Sequence, residues 1–330
     1  MLSTSDLTRA LLRYCEPNVP RALFELAITA IPLVFLWALM WLSLDVGYWL
    51  TLLLAVPAAG FMVRLFIIQH DCGHGAFFRH RAANSWVGRV LGVLTLTPYD
   101  YWKRNHAIHH ATSSNLDRRG IGDIEILTVE EYRSKPLTSR LLYRCYRNPV
   151  VMFVIGPAYM FFLQHRLPFH QMRDGWRPWI STMATNAAII LAVAGMIWLV
   201  GVGPFLKVHL PIMAMAASMG VWLFYVQHQF EGVAWARTGN WSHRDAALLG
   251  SSYYDLPGLL RWISGNIGIH HIHHLNSRIP YYRLGKVLRD HPELKTVGRL
   301  TLWDSVKSVR LSLWCEKREK LVSFKAARNY

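Results

Sequence analysis

Apolar residues collect in four runs, at about 26–44, 49–68, 179–202 and 208–226. Each is close to the roughly 20 residues an α-helix needs to cross about 30 Å of hydrocarbon. The connections at 45–48 and 203–207 are so short that each pair of runs must form an antiparallel hairpin, which puts both chain ends on one side. Beyond the 25 residues before the first run, the remaining length falls into a segment at 69–178 and a tail at 227–330. Two shorter apolar stretches interrupt the first of these, 86–96 and 150–163, the latter with Gly156-Pro157 in its middle. Both are too short for a straight span and fit helices lying in the membrane interface. The expected fold is all-α and integral to a membrane. It has four transmembrane helices in two hairpins, interfacial helices and a cytosolic helical cap, in one domain over 1–330.

Composition agrees: 52% of the 330 residues are hydrophobic, with a mean hydropathy of +0.18. Charge orients the spans. Of the 36 Lys and Arg residues, Arg64 lies inside a run and Lys207 in a short connection, leaving 34 on the other side. That side is therefore expected to be cytosolic and to hold both termini. Arg64, near the end of the second run, is expected to snorkel to the interface. The four cysteines, Cys15, Cys72, Cys145 and Cys315, have no short pair spacing. This pattern indicates neither a disulfide framework nor a thiolate zinc site and suits a reducing compartment. The opening MLSTSDLTRALLRY has no short apolar core before a small-residue cleavage site, so the first span is expected to be its own insertion signal.

The candidate chemistry lies in the histidines. Of 16, ten fall into four groups: His70 and His74; His106, His109 and His110; His228; and His270, His271, His273 and His274. If the second span continues as a helix, His70 and His74 at i and i+4 share a face. In His106-x-x-His109-His110 the adjacent pair diverges by about 100°, so one box can serve two neighbouring metals. Imidazole alone does not choose among zinc, copper, iron and nickel, but nine or ten histidines exceed what one tetrahedral zinc can use. Soluble di-iron bundles reach their ligand count with glutamates. Here Asp71 is the one acidic residue inside the first box and Glu231 the one within a turn after His228. The pattern is that of an all-histidine dinuclear site at one membrane face. The isolated His80, His165, His170, His209, His243 and His291 are read as interfacial or hydrogen-bonded residues. A site at the membrane face suits a substrate with its polar end at the interface and an acyl chain in a protein cleft. A methylene offers nothing to a general base, so the chemistry requires metal-activated O₂ and a source of electrons.

The segments HDCGHGAFF, NHAIHHATSSNLDRRGIGD, QHQFEG and GIHHIHHLNSRIP together resemble the membrane-bound fatty acid desaturases, most closely the bacterial acyl-lipid type, over about 67–284. The resemblance implies an O₂-dependent enzyme in a bacterial inner membrane that places a cis double bond in a lipid acyl chain. It implies two iron ions, with His70, His74, His106 and His273 on one and His109, His110, His228, His270 and His274 on the other. His271 is extra and is read as standing behind the ligands. The three residues between His70 and His74 match the acyl-lipid enzymes, whereas the acyl-CoA Δ9 class has four. Where that class has an asparagine four residues before the lone histidine, this chain has Phe224. A lipid or carotenoid hydroxylase or ketolase shares the same scaffold, and a metal-transport protein is a further reading from another class.

From residue 281 onward the chain holds 12 Lys and Arg against 5 Asp and Glu. If 301–320 is helical, Trp303, Val306, Leu313 and Trp314 lie near one face, which suits docking on anionic lipid. The His291-Pro292-Glu293 stretch lacks the glycines of a cytochrome-type haem motif, so electrons are expected from a separate ferredoxin-like or flavodoxin-like protein. A basic face would steer an acidic donor.

Overall fold

A computed structural model describes residues 4–329; Met1 to Ser3 of the opening stretch, and Tyr330, lie outside it. In chain order the helices are α1 (Thr4–Leu12), α2 (Val19–Ser43), α3 (Tyr48–His74), α4 (Arg81–Leu94), α5 (Tyr99–Thr112), α6 (Val129–Ser134), α7 (Leu137–Tyr146), α8 (Gly156–Phe162), α9 (Trp176–Val200), α10 (Val202–His228), α11 (His243–Leu249), α12 (Gly258–Ile263), α13 (His270–Leu275), α14 (Tyr281–Asp290) and α15 (Leu302–Ser308).

The four long helices α2, α3, α9 and α10 are those long and apolar enough to cross a membrane. They form the two hairpins that the apolar runs predict. On the histidine side α2 and α3 run well past the end of their apolar run, to Val19 and His74, while α9 and α10 extend only to Trp176 and His228. The second hairpin is tighter than expected: α9 and α10 meet at Gly201 alone, at φ 84° and ψ 158°, backbone only glycine adopts freely. Lys207 therefore sits in the second turn of α10, not in a loop. Helix α3 is the centre of the bundle, packed on α2, α10 and α4. Its most apolar window is 56% buried, against 6% for α9, whose outward residues include Ile190 and Trp198. Bare apolar faces on helices that satisfy their own backbone groups are what hydrocarbon tolerates.

The stretch at 86–96 lies on α4, which turns Trp86, Val90 and Leu94 outward at i, i+4 and i+8 and buries Asn84, Gly88 and Leu91. The stretch at 150–163 becomes a π-helical turn, Val151–Ile155, followed by α8. The largely helical cap also carries two small sheets, which refines the all-α expectation. One is β1 (Leu127–Thr128), β4 (Leu313–Cys315) and β5 (Lys320–Val322), in the order β1-β4-β5. The other pairs β2 (Tyr253–Tyr254) with β3 (Arg299–Leu300) in parallel. Strands of two or three residues are too short to show a period-2 pattern.

Two expectations are corrected. Arg64 does not snorkel. It is 1% exposed and ion-paired with Glu25 of α2, which is 2% exposed. Its Nε donates to Thr29 Oγ1 at 3.0 Å, its Nη1 to the Trp262 carbonyl, and its guanidinium lies 4.4 Å from the Trp262 ring centre. Tyr281 OH donates to Glu25 Oε2 at 3.0 Å. The cation is retained because a counter-charge from the neighbouring helix compensates it; removing one partner of such a pair costs about 3–5 kcal/mol. The second correction concerns the tail: the helix ends at Ser308, and Leu313 and Trp314 are buried in β4. Only Trp303 and Val306 of the proposed apolar face stay exposed.

Candidate metal centre

Each group of histidines is delivered by a helix near the same end of the bundle. Helix α3 continues unbroken through His70 and His74, and Gly75 at φ 67° stops it directly afterwards. Helix α5 carries His106, His109 and His110; His228 is the last residue of α10; and the six-residue α13 carries His270, His273 and His274.

The side chains meet in two sets. In the first, Nε2 of His74 lies 3.2 Å from that of His70 and 3.1 Å from that of His106, His106 to His110 is 3.1 Å, and His110 to His273 is 3.2 Å. In the second, His228 Nε2 lies 3.1 Å from His109 Nε2 and 3.0 Å from His270 Nε2, with His274 closing the group. Within each set the nitrogens all fall within 4.8 Å of one another.

These contacts cannot all be hydrogen bonds. An uncharged imidazole nitrogen has either one hydrogen or one lone pair, pointing one way. Yet Nε2 of His74, His106, His110 and His228 each has two such neighbours. Nitrogens aimed at a common point is the arrangement a cation organises. Two imidazole nitrogens about 2.1 Å from one ion and subtending roughly 95° would lie about 3.1 Å apart, whereas a tetrahedral angle gives about 3.4 Å. The spacing and the five nitrogens of the first set fit a site of higher coordination than tetrahedral zinc. Burial, reinforced by the neighbouring rings, holds His106, His110, His270, His273 and His274 well below the ordinary imidazole range. At neutral pH they are uncharged, and their lone pairs are free for a metal.

All nine histidines singled out in the sequence, His70, His74, His106, His109, His110, His228, His270, His273 and His274, are in one set or the other. Their division differs from the one the resemblance implies at one residue: His110 groups with His70, His74, His106 and His273. The reason is helical. His106 and His110, at i and i+4, point together, while His109 is turned about 100° from His110 and about 60° from His106, so the box is split between the sets. His273 and His274 are split in the same manner. His110 nevertheless stacks on His274, with ring centres 4.1 Å apart, and so forms the wall between the sets.

His271 does not stand behind the ligands. It faces away, with Nε2 3.0 Å from the Leu294 carbonyl and its ring beside Tyr253. Glu231 is exposed, and neither it nor any other carboxylate belongs to a set among the described residues. His80, His165, His170, His209, His243 and His291 are outside both sets; His165 packs on Phe161 and His209 stacks on Phe205. Phe224 packs against His109 and His228, with centroids 5.2 and 5.3 Å away, so this side of the second set is apolar.

The supporting acceptors were the least legible part. With Nε2 turned inward, Nδ1 carries the hydrogen. That of His109 donates to Asp123 Oδ1 at 2.5 Å, and that of His228 to the Gly250 carbonyl at 3.2 Å. Asp71 Oδ1 lies 3.3 Å from His70 Nδ1 and its Oδ2 accepts the Tyr281 backbone N–H at 2.7 Å. The one signal for Asp123 was an aspartate ending the glycine-containing stretch after the second box.

Comparison with known proteins agrees with this geometry. The sequence profile of the fatty acid desaturase family matches residues 47–303. A fatty acid desaturase of Bacillus subtilis (strain 168) is 46% identical over 324 residues, covering 98% of this chain and 92% of its own length. Two proteins of Synechocystis sp. are each 27% identical. An sn-1 oleoyl-lipid 12-desaturase aligns over 66% of this chain and 62% of itself. An sn-1 acyl-lipid omega-3 desaturase (ferredoxin) aligns over 67% and 61%.

Because a carboxylate behind a ligating histidine fixes its tautomer and raises its basicity, Asp123→Asn should lower metal affinity about 10- to 100-fold. Chelator competition on the purified protein measures this. An affinity equal to wild type would remove Asp123 from the support of the site.

Proposed function

The chain belongs to the fatty acid desaturase family, oxidoreductases that act on lipid acyl chains, and on that premise we propose that its two histidine sets each hold one iron ion. The convergence of the nine imidazole nitrogens carries this reading. His70, His74, His106, His110 and His273 would hold one iron and His109, His228, His270 and His274 the other. Iron of this kind, when bound, supplies the activation of O₂ needed to break an unactivated C–H bond. Overall, two adjacent methylenes become a cis alkene by giving up two hydrogens to O₂, which also takes two electrons from a carrier and two protons from solvent and leaves as two waters. The acyl-lipid desaturase names of the relatives support desaturation over hydroxylation or ketone formation on the same scaffold.

The protein's own groups have three tasks in this scheme. Asp71, Asp123 and the Gly250 carbonyl hold ring hydrogens outward so that the opposite nitrogens face the metals. Phe224 and the buried second set keep water from that side. His74, His106 and His110 are only half-buried, so the first set is the more open one and the side from which an acyl chain is read to approach. The substrate is proposed to be the acyl chain of a membrane lipid. The donor is proposed to be a ferredoxin-like or flavodoxin-like protein; the name of one relative specifies ferredoxin. We read 1–330 as one domain, since cap residues Trp262 and Tyr281 bond directly to the Arg64–Glu25 pair between two spans.

Cells expressing the chain should gain an unsaturated acyl species in fatty acid methyl ester analysis. His74→Ala and His228→Ala should each abolish it, while His165→Ala and His243→Ala should not. Full product formation by His228→Ala would contradict the proposed ligand set.

The charge asymmetry favours an orientation with the histidine side in the cytosol, and the likeness to bacterial relatives supports an inner membrane. With exposed Cys145 changed to serine, cysteines placed at the exposed Val46 and Val202 should react with an impermeant maleimide in intact cells, and one at Lys317 only after permeabilisation. Labelling of position 317 in sealed cells, with 46 and 202 protected, would reverse the orientation.

A further inference from the structure

Helix α12 is not perched above the span bundle but packed into its side. Ile263 fills the space beside Gly60 of α3, the Trp262 ring meets Phe61 edge-on at 5.8 Å, and the Trp262 carbonyl is held by Arg64. Phe61 and Arg64 precede the first ligand, His70, by nine and six residues, which places them about 14 and about 9 Å back along the helix towards the membrane. At that level a second helix is bare: Leu23 and Phe24, next to the Glu25 that pairs with Arg64, are 54% and 53% exposed on α2. The outer face of α12 is apolar as well, with Leu259 74% and Leu260 42% exposed.

Helix α15 joins the same surface by topology. Strands β2 and β3 run parallel, with Tyr253 opposite Arg299, and each is followed within a few residues by its short helix, α12 after β2 and α15 after β3. Both helices therefore leave from the same end of the pair. Asp255 ties them, accepting from Arg261 of α12 at 3.1 Å and from Arg299, just before α15, at 2.8 Å. Leu302, Trp303 and Val306 of α15 are 40%, 77% and 55% exposed. The surface thus combines five bare apolar side chains with two arginines that share one carboxylate.

The geometry points to a membrane-seated lip: α12 and α15 sink their apolar side chains into the bilayer at the boundary of acyl chains and head groups, with Arg261 and Arg299 against lipid phosphate. This rests on the reading of the four long helices as membrane spans. A water-filled surface would leave Leu259 and Trp303 as exposed as this with no partner, whereas interfacial burial of such side chains is favourable and the excess positive charge suits phosphate. The consequence for function is that the part of the cap preceding the HHIHH box is held at lipid level, where an acyl-lipid substrate resides.

The test uses the full chain in phospholipid nanodiscs, with Cys15 and Cys145 changed to serine and a nitroxide attached singly through Leu259→Cys, Trp303→Cys, Lys317→Cys or Ile190→Cys. Collision with O₂ reports hydrocarbon, and collision with a water-soluble nickel chelate reports solvent. The O₂-to-nickel ratio at 259 and 303 should exceed that at 317 by about tenfold and approach that at 190, on the lipid-facing side of α9. Ratios at 259 and 303 equal to that at 317, with 190 in lipid, would overturn the lip alone. Low collision with both reagents at 259 and 303 would also overturn it, by showing a protein contact there. An aqueous signal at 190 too would overturn the membrane reading on which the lip depends.

Discussion

Nine imidazole nitrogens must be aimed into two sets, within a few ångströms of one another in each, by four chain segments that lie far apart in sequence. Left to itself this is unfavourable, since lone pairs repel and each ring loses water. The fold must hold them in place until a cation compensates both costs. The helices meet this demand by geometry: i and i+4 pairs aim two rings at one point, and adjacent histidines are split between the two sets. The sets consequently share α5 and α13, so a shift of either helix disturbs both.

What ties the first histidine box to the packing of the spans is a polar chain through the apolar bundle. His70 leans on Asp71, Asp71 holds the backbone of Tyr281, and the Tyr281 hydroxyl reaches Glu25, which pairs with Arg64, which in turn holds the Trp262 carbonyl. Two spans, the α12 segment and the start of α14 thereby meet in one buried network whose members satisfy one another. Its position beneath the first histidine set links the rigidity of the site to the packing of the spans.

The spans, the hairpins and all nine clustered histidines were legible in the sequence, because a run of about 20 apolar residues and an i, i+4 pair are local signals. What was not legible depends on partners distant in the chain. Arg64 reads as an interfacial anchor until Glu25 is seen opposite it. His110 follows His106, not His109, once α5 has a direction. Asp123, marked only by its place at the end of the stretch after the second box, shows its role once the loop folds under His109. The tail reads as one helix because β4, buried at all three positions, and β5, buried at two of its three, are too short to show a recognisable period-2 pattern.

The central claim is that the two sets bind two irons, and elemental analysis of purified full-length protein tests it most directly. The account predicts close to two irons per chain for wild type, with a clear loss of iron in His109→Ala and His228→Ala. One zinc and no iron per chain, in protein that still desaturates, would contradict it.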